Sequence, residues 1–381
     1  MSARSQPLLF YSAWPLGYHN VEAERKAVRL AEEGYDVVYV TGVGTRNPRL
    51  SRLPKLIDRL GRKLGRPPGG EDPQVPGLRT AALAVVPPRQ LGAVRDLNER
   101  WLVRQLEAVI EDWADAVAWV RWPTQELVAA LEKVRPALVV YEAVDAYHLT
   151  PGIVGSWRAI FEEAERALVA LADLVVVPGE VLAERYRSSA TRVAVLRHGV
   201  DLGPWREDRG RHDAVTLGFV GSLDYRLDVP ALRHIALARP TWSIRLVGPV
   251  QEGFDGEALA GLRNVSVEPP VRHAEVAALN LQFDVGLLAY GDDPLYRHMA
   301  PLKALELLAA GTPVVARWNP ALGELGAFVR FAASPADYVA EIEATLAEDS
   351  PVLARARRAA AELHGWQGTL DAMCRLLEEI A

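Results

Sequence analysis

Met299-Ala-Pro-Leu-Lys-Ala-Leu-Glu-Leu-Leu-Ala-Ala-Gly-Thr-Pro-Val-Val-Ala316 is the stretch from which the rest of this chain can be read. Pro301 suits the first turn of a helix, where its missing N–H costs nothing. Leu302, Leu305, Leu308 and Ala309 recur at helical spacing and should face a core. Gly311 supplies a left-handed stop, Thr312-Pro313 turns the chain, and Val314-Val315-Ala316 reads as a short strand. Lys303 and Glu306 are three apart, so they share one face of the helix. The helix N-terminus also offers unpaired N–H groups, which suit an anion. An ordinary solvated ion pair is the bland reading of Lys303 and Glu306. Composition weighs against it: only five of the 43 basic residues are lysines, and Lys303 is the only lysine after Lys133. A lysine kept in so arginine-rich a chain suggests that a compact, flexible point charge was wanted.

The whole phrase resembles the donor-site helix of retaining GT-B glycosyltransferases of the family-4 (group 1) type, with its pattern P-x-K-x-x-E-x-x-A-x-G-x-P-V-V. The resemblance implies that Glu306 holds the ribose of a nucleotide-sugar and that Lys303 sits near its diphosphate. It implies an α/β chain of two Rossmann-like parallel-sheet domains facing across a cleft, with a C-terminal helix returning to the first domain. The boundaries expected are an acceptor domain over 1–201, a donor domain over 202–364, and the returning helix over 365–381.

Length and composition agree with two ordinary domains. The chain has 381 residues, half of them hydrophobic and 24% charged, as in soluble globular proteins. A single cysteine, Cys374, excludes an internal disulfide and fits a reducing compartment. The opening residues, Met1-Ser-Ala-Arg-Ser-Gln-Pro7, lead directly into a strand-like run, with no signal-peptide pattern, and no apolar run is long enough to span a bilayer. A cytoplasmic location is the expectation, and nothing points to nucleic acid. Residues 1–200 carry 26 basic and 24 acidic side chains against 17 and 25 in the remainder, so the net charge of −6 divides into +2 and −8.

In the first half, Leu8–Ser12, a helix over Val21–Glu33, Gly34, and the strand Asp36–Thr41 form a strand–helix–strand unit with a parallel sheet. Ligands of such sheets sit beyond the carboxyl ends of the strands. The loop after the first strand therefore lies at a crevice, and Gly17 is either a ligand-facing or a plain turn glycine. It lacks the G-x-G-x-x-G fingerprint of a dinucleotide site. Between Arg46 and Arg66 stand eight basic residues and one acid, Asp58, with six leucine or isoleucine side chains on one helical face. Such a pattern either packs on a core or lies on an anionic membrane. Ala81–Val86 reads as a strand, and Leu91–Trp119 as helix in two pieces rich in tryptophan, more fitting for a core than for a sugar platform. Ala137–Glu142 is a strand whose carboxyl end leads to Asp145 and His148. Tyr141-Glu-Ala-Val-Asp145 is similar to a Y-x-x-x-D segment of these transferases, which places Asp145, with His148, on the acceptor side.

In the second half the alternation restarts after a linker over 202–213. The strands Val215–Val220, Trp242–Val247 and Phe283–Ala289 meet short loops with Gly221, Gly248 and Tyr290, which build one crevice edge. The resemblance runs through F-V-G-S-L, L-V-G-P, H-A-E-V, F-D-V-G-L and P-L-K-A-L-E in the family's order. A departing diphosphate needs a metal, or backbone N–H groups, a helix N-terminus and a cation. The chain has no Asp-x-Asp pair, so the expectation is a metal-independent site without cofactor, using Lys303, the Gly221-Ser222 turn, the helix terminus at 301 and, as a second cation, Arg226. The family's first motif Glu is replaced by His298, eight residues before Glu306, so the sugar transferred cannot be inferred. The reading is thus a retaining transferase with a UDP-linked donor and a lipid-linked, polysaccharide or small-molecule acceptor, peripheral on the inner membrane face if 46–66 binds lipid. A nucleotide-sugar epimerase and a non-catalytic nucleotide-sugar-binding subunit are the alternatives.

Overall fold

The computed structural model describes residues 6–13, 16, 21–41, 75–87, 91–150, 153, 155–205, 214–300 and 302–380. Gly17, the basic stretch 46–66 and Pro301 lie outside the described residues. The chain divides into two compact units, Met1–Leu196 with Ala372–Ala381, and Arg197–Asp371.

The first unit is built on a seven-stranded sheet ordered β3-β2-β1-β4-β5-β6-β7, with every pair parallel. Its strands are β1 (Pro7–Tyr11), β2 (Asp36–Thr41), β3 (Leu78–Ala82), β4 (Val117–Val120), β5 (Leu138–Glu142), β6 (Leu174–Val177) and β7 (Val193–Val195). Parallel sheets carry helices on both faces, so their strands are continuous apolar runs; Leu8, Leu9, Phe10 and Tyr11 are all fully buried. The strand order reverses between β1 and β4, which puts the crevice of this unit beyond Tyr11 and Val120.

Two elements differ from the sequence reading. The segment 91–119 is not helix throughout: α2 (Gly92–Glu107), numbered after α1 (Val21–Glu32), ends at Glu107, and Val117–Val120 is the strand β4 beside β1. The tryptophans masked a four-residue run, too short to show a period of its own. Trp119 is a core residue of that strand, stacked on Phe10 at 6.1 Å between centroids. The expected strand over 81–86 is instead β3, which starts after Gly77 at φ +80° and pairs with β2 from Leu78 to Ala82. Beyond it the backbone of Ala84 and Val86 is taken by side-chain amides. Gln105 bonds both N–H and C=O of Ala84 at 2.9 and 3.0 Å, and Asn98 does so for Val86 at 2.7 and 2.8 Å.

At the switch point the sheet buries charge. Glu142 lies at the end of β5 and accepts from Lys26 of α1 at 2.6 Å and from the Trp119 indole at 2.7 Å. Arg121, just after β4, lies 2.9 Å from the same carboxylate, and Lys26 also bonds Glu22 at 2.5 Å. Burial would raise the Glu142 carboxyl, but Arg121 and Lys26 outweigh it and hold it below the usual range.

The second unit carries a six-stranded parallel sheet ordered β10-β9-β8-β11-β12-β13. Its strands are β8 (Thr216–Val220), β9 (Ser243–Val247), β10 (Val265–Glu268), β11 (Val285–Leu288), β12 (Val314–Arg317) and β13 (Val329–Ala332). The order again reverses, here between β8 and β11. The helix of the opening phrase runs over Leu302–Ala309 and buries Leu305, Leu308 and Ala309 as expected, with Ala304 and Leu307 besides. The last helix, Trp366–Glu378, starts in the second unit, with the Trp366 ring against the backbone of Gly199, and its final residues belong to the first, where Arg192 pairs with Glu379.

Replacing Glu142 by Gln leaves Lys26 and Arg121 short of a buried counter-charge and should cost about 3–5 kcal/mol, read in urea unfolding of the first unit. Because the carboxyl is held low in the folded state, its contribution is present above the ordinary carboxylate pKa and is lost as pH falls through the folded one. The variant should therefore lose part of the wild type's steepening instability in acid.

Candidate functional site

The candidate donor residues gather on the carboxyl edge of the second sheet, at its switch point. Gly221 follows β8 and Gly248 follows β9, both with φ near +150°. A Cβ on Gly248 would stand 2.0 Å from the carbonyl oxygen of Gly221, and a Cβ on Gly221 would stand 2.0 Å from Cε of Lys303. Glycine at both places is a steric requirement, since only bare backbone lets the strand ends and the lysine meet. The contacts hold because Gly221 N–H donates to Val247 at 2.9 Å and Gly248 N–H to Glu268 at 3.1 Å, extending the ladder past the strands. Lys303 lies 5.8 Å above the Phe219 ring, a cation over the negative face of an aromatic. Ser222 is half-buried in the turn beside it.

The remaining predicted residues of this unit fall nearby with different roles. Tyr290 is buried after β11, stacked on Tyr296 at 4.6 Å and edge-on to Phe219. Arg226 is bridged to it through the backbone, Leu227 pairing with Tyr290, and Gly291 N–H donating to the Arg226 carbonyl at 2.7 Å. The Arg226 guanidinium is already committed: it bonds Asp224 through Nε at 2.9 Å and Nη2 at 2.5 Å, and meets Met299 Sδ at 3.2 Å. It is a strut of the turn, two residues from its partner. The other aspartates of the edge are engaged as well. Asp228 and Asp293 cap helices, accepting from Ala231 N–H at 2.9 Å and Leu295 N–H at 2.9 Å, and Asp292 pairs with Arg297. His298, where the family's first Glu would stand, has Nδ1 2.8 Å from the Pro294 carbonyl.

Glu306 lies one turn beyond Lys303 and lines a small hollow of about 20 Å³ with Asp201, Gly203, His273 and Ala310. Burial pushes its carboxyl up, with Lys303 and then His273 pulling part of the way back. His273 Nε2 is 2.9 Å from Asp201. These two were not among the predicted site residues. His273 opens the helix over His273–Asn280, and Asp201 stands 72 residues before it, so nothing local marked them as neighbours of Glu306. Equally unsignalled are Arg357 and Arg358, which satisfy the carbonyls at the end of the Lys303–Glu306 helix. Arg357 bonds Gly311 at 2.9 Å and Arg358 bonds Ala309 at 2.8 Å.

In the first unit Asp145 and His148 follow β5, as expected. Asp145 Oδ1 accepts from Ala146 N–H at 2.9 Å. His148 Nε2 stands 3.3 Å from Arg185, whose other nitrogen bonds Glu165 at 2.8 Å. Glu165 is buried and also accepts from the hydroxyls of Tyr141 and Tyr186 at 2.9 and 2.8 Å.

Sucrose-phosphate synthase from Thermosynechococcus elongatus superposes with a TM-score of 0.71 at 18% identity, covering 98% of this chain and 99% of that one. Anabaena HepE, in a structure with UDP and glucose, gives 0.63 at 16% identity over 98% and 99%. The chain has the GT-B glycosyltransferase fold. No protein-family model matches it. Among curated proteins it is 31% identical over 258 residues to the D-inositol 3-phosphate glycosyltransferase of Geodermatophilus obscurus, spanning 58% of this chain and 54% of the relative. It is 27% identical over 182 residues to TuaH of Bacillus subtilis (strain 168), named as a glycosyltransferase of teichuronic acid biosynthesis, over 44% and 46%. The alignments thus span about half the length of the curated relatives.

The two glycines make separable predictions for unfolding of the second unit. Gly248→Ala drives a methyl into backbone and should cost at least about 1–3 kcal/mol, while Gly221→Ala meets the end of a flexible side chain and should cost less. Adding Lys303→Ala should recover part of the Gly221→Ala loss and none of the Gly248→Ala loss.

Proposed function

We propose that this protein is a glycosyltransferase that moves a sugar from a UDP-linked donor to an acceptor with retention of configuration. The observation that carries it is the convergence of Gly221, Gly248 and Lys303 at the switch point, with Glu306 one turn away on the same helix. Bare backbone and a cation suit a diphosphate, and a carboxylate beside them suits the hydroxyls of ribose. Both curated relatives are named glycosyltransferases, and HepE was solved with UDP and glucose. In this reading Lys303 and the turn at Gly221-Ser222 stabilise the departing diphosphate without a metal. The engagement of Asp224, Asp228, Asp292 and Asp293 with arginines and helix N-termini supports that. Asp145 and His148 line the acceptor side, with His148 poised by Arg185.

The test is incubation with a panel of nucleotide-sugars. Free UDP and a glycosylated product support transfer, an epimer without UDP indicates epimerisation, and binding alone indicates a non-catalytic subunit. Lys303→Ala and Glu306→Ala should each weaken UDP binding by about 1.5–3 kcal/mol in calorimetry. Wild-type binding should weaken on acidification at a pH above the ordinary glutamate range, because the Glu306 carboxyl is raised and only its ionised form is a full acceptor. In Glu306→Gln binding should be weaker and flat across that range. Turnover should survive EDTA, and Asp145→Asn should lower turnover while leaving UDP binding intact.

For the acceptor we propose a lipid-linked or polysaccharide precursor, reached from an anionic membrane surface through the eight basic residues between Arg46 and Arg66. The chain should sediment with anionic but not neutral liposomes, and Arg52→Gln, Arg59→Gln and Arg62→Gln together should release it. Wild type that stays in solution with anionic liposomes refutes this.

A further inference from the structure

On the same carboxyl edge, two and three strands away from β8, lies a second hollow that shares no residue with the Lys303–Glu306 site. It measures about 390 Å³ and is walled chiefly by Asp292, Arg297, Arg317, Trp318 and Phe331. Adjacent strands are roughly 4.8 Å apart, so the ends of β12 and β13 stand roughly 10 and 14 Å from that of β8.

Trp318 is 57% exposed, a large apolar ring left to solvent, yet it is firmly held. Its edge meets Phe331 at 4.9 Å and 72°. Gly323 lies so close that a Cβ there would come within 2.7 Å of the indole. The backbone around it is fixed too: the Tyr296 hydroxyl donates to the Arg317 carbonyl at 2.8 Å, and Asn319 caps the next helix by accepting from Ala321 N–H at 2.8 Å. The ring is therefore a preformed shelf. Beside it Arg297 bonds Asp292 through Nε at 3.1 Å, and Arg317 approaches the same carboxylate at 3.8 Å. Among the described residues two guanidiniums thus share one carboxylate, leaving one positive charge uncompensated within the hollow.

We propose that this hollow binds a pyranose carrying an acidic group, a carboxylate or a phosphate. The hollow offers three chemistries, and one ligand class answers all of them. An aromatic shelf takes the C–H face of a sugar ring, Arg317 takes an anion through paired N–H groups, and Asp292 accepts from hydroxyls. A neutral sugar leaves the spare positive charge unanswered, and a bare anion leaves the indole exposed. The volume lies in the range of small-molecule sites, roughly 300–1,000 Å³. The inference rests on this geometry and stands apart from the donor reading.

The test is saturation-transfer NMR and calorimetry on the full chain with methyl glucuronide, glucose 6-phosphate and methyl glucoside. At least one of the acids should bind about tenfold or more tightly than the glucoside, the worth of one charge-assisted hydrogen bond. Which of the two binds more tightly tells whether the anion is a carboxylate or a phosphate. Trp318→Ala should abolish binding of the acids, and Arg317→Gln should remove the preference for acid over glucoside. Neither change cuts the backbone bonds that hold the loop, and unchanged thermal midpoints will confirm that both variants fold. Excess UDP should not displace the acids. Failure of both acids to bind, equal binding of acid and glucoside, indifference to both substitutions, or displacement by UDP would each overturn the proposal.

Discussion

Where β8 and β9 leave their sheet, the backbone of Gly248 runs so near the carbonyl of Gly221, and Gly221 so near Lys303, that a side chain at the first would strike backbone and one at the second would displace the lysine. Much of the second unit follows from keeping those three in register. The parallel pairing of β8 with β9 sets the first approach, and two further backbone bonds carry it beyond the strands. The second depends on where the Lys303 helix lies. Its apolar side is seated by Leu305, Leu307 and Leu308 in the core, with Leu307 packed on the bare face of Gly286 in β11. Its far end is fastened by Arg357 and Arg358, about fifty residues later, which bond the carbonyls that a helix terminus leaves open. The position of one ammonium thus depends on distant parts of the chain, which is how a flexible lysine acquires a defined place.

The two sheets reverse strand order in the same way but treat the resulting crevice differently. In the first, Lys26, Arg121, Glu22 and Glu142 fill the switch point with their own buried ions, tied to the Trp119 indole. Buried pairs of this kind add little net stability, yet removing one member is costly. That edge is rigid and internally satisfied. In the second, glycine backbone and a lysine occupy the equivalent place, and the arginine and aspartates around them are spent on one another or on helix ends. Next to the turn the Arg226 guanidinium is paired with Asp224, which leaves Lys303 as the cation facing the turn.

Much of this could be read from the residues, and the failures have physical causes. The opening phrase showed its helix, stop and strand because period, glycine and proline all agreed. Gly221 and Gly248 stood out as the turn ends of apolar runs. The strand Val117–Val120 did not, because four residues buried on both faces have no alternation and the neighbouring tryptophans suggested a continuing helix. Ala84 and Val86 looked like strand because their backbone is indeed bonded as if in one, but by Gln105 and Asn98. Arg226 looked like a spare cation, although Asp224 stands two residues before it. Asp145 and His148 were placed after the right strand, while the Arg185–Glu165–Tyr141–Tyr186 set behind His148 spans 46 residues of chain and has no local signature.

Glu306 shows why a single helix can serve both ends of the proposed ligand. Three residues separate it from Lys303, about 4.5 Å along the axis, so a carboxylate and an ammonium face outward in a fixed relation. Burying a carboxylate raises its pKa and favours the neutral acid, which would weaken it as an acceptor. Lys303 works against that effect, and so does His273, itself held by Asp201. The cation that would meet a diphosphate therefore also helps to keep the carboxylate ionised for hydroxyls. An anion drawing on Lys303 would in turn reduce its hold on Glu306, unless hydroxyl donors at the carboxylate made up the difference. A ligand presenting only the diphosphate, or only the sugar ring, would satisfy one group at the other's expense, whereas one presenting both would satisfy the pair together.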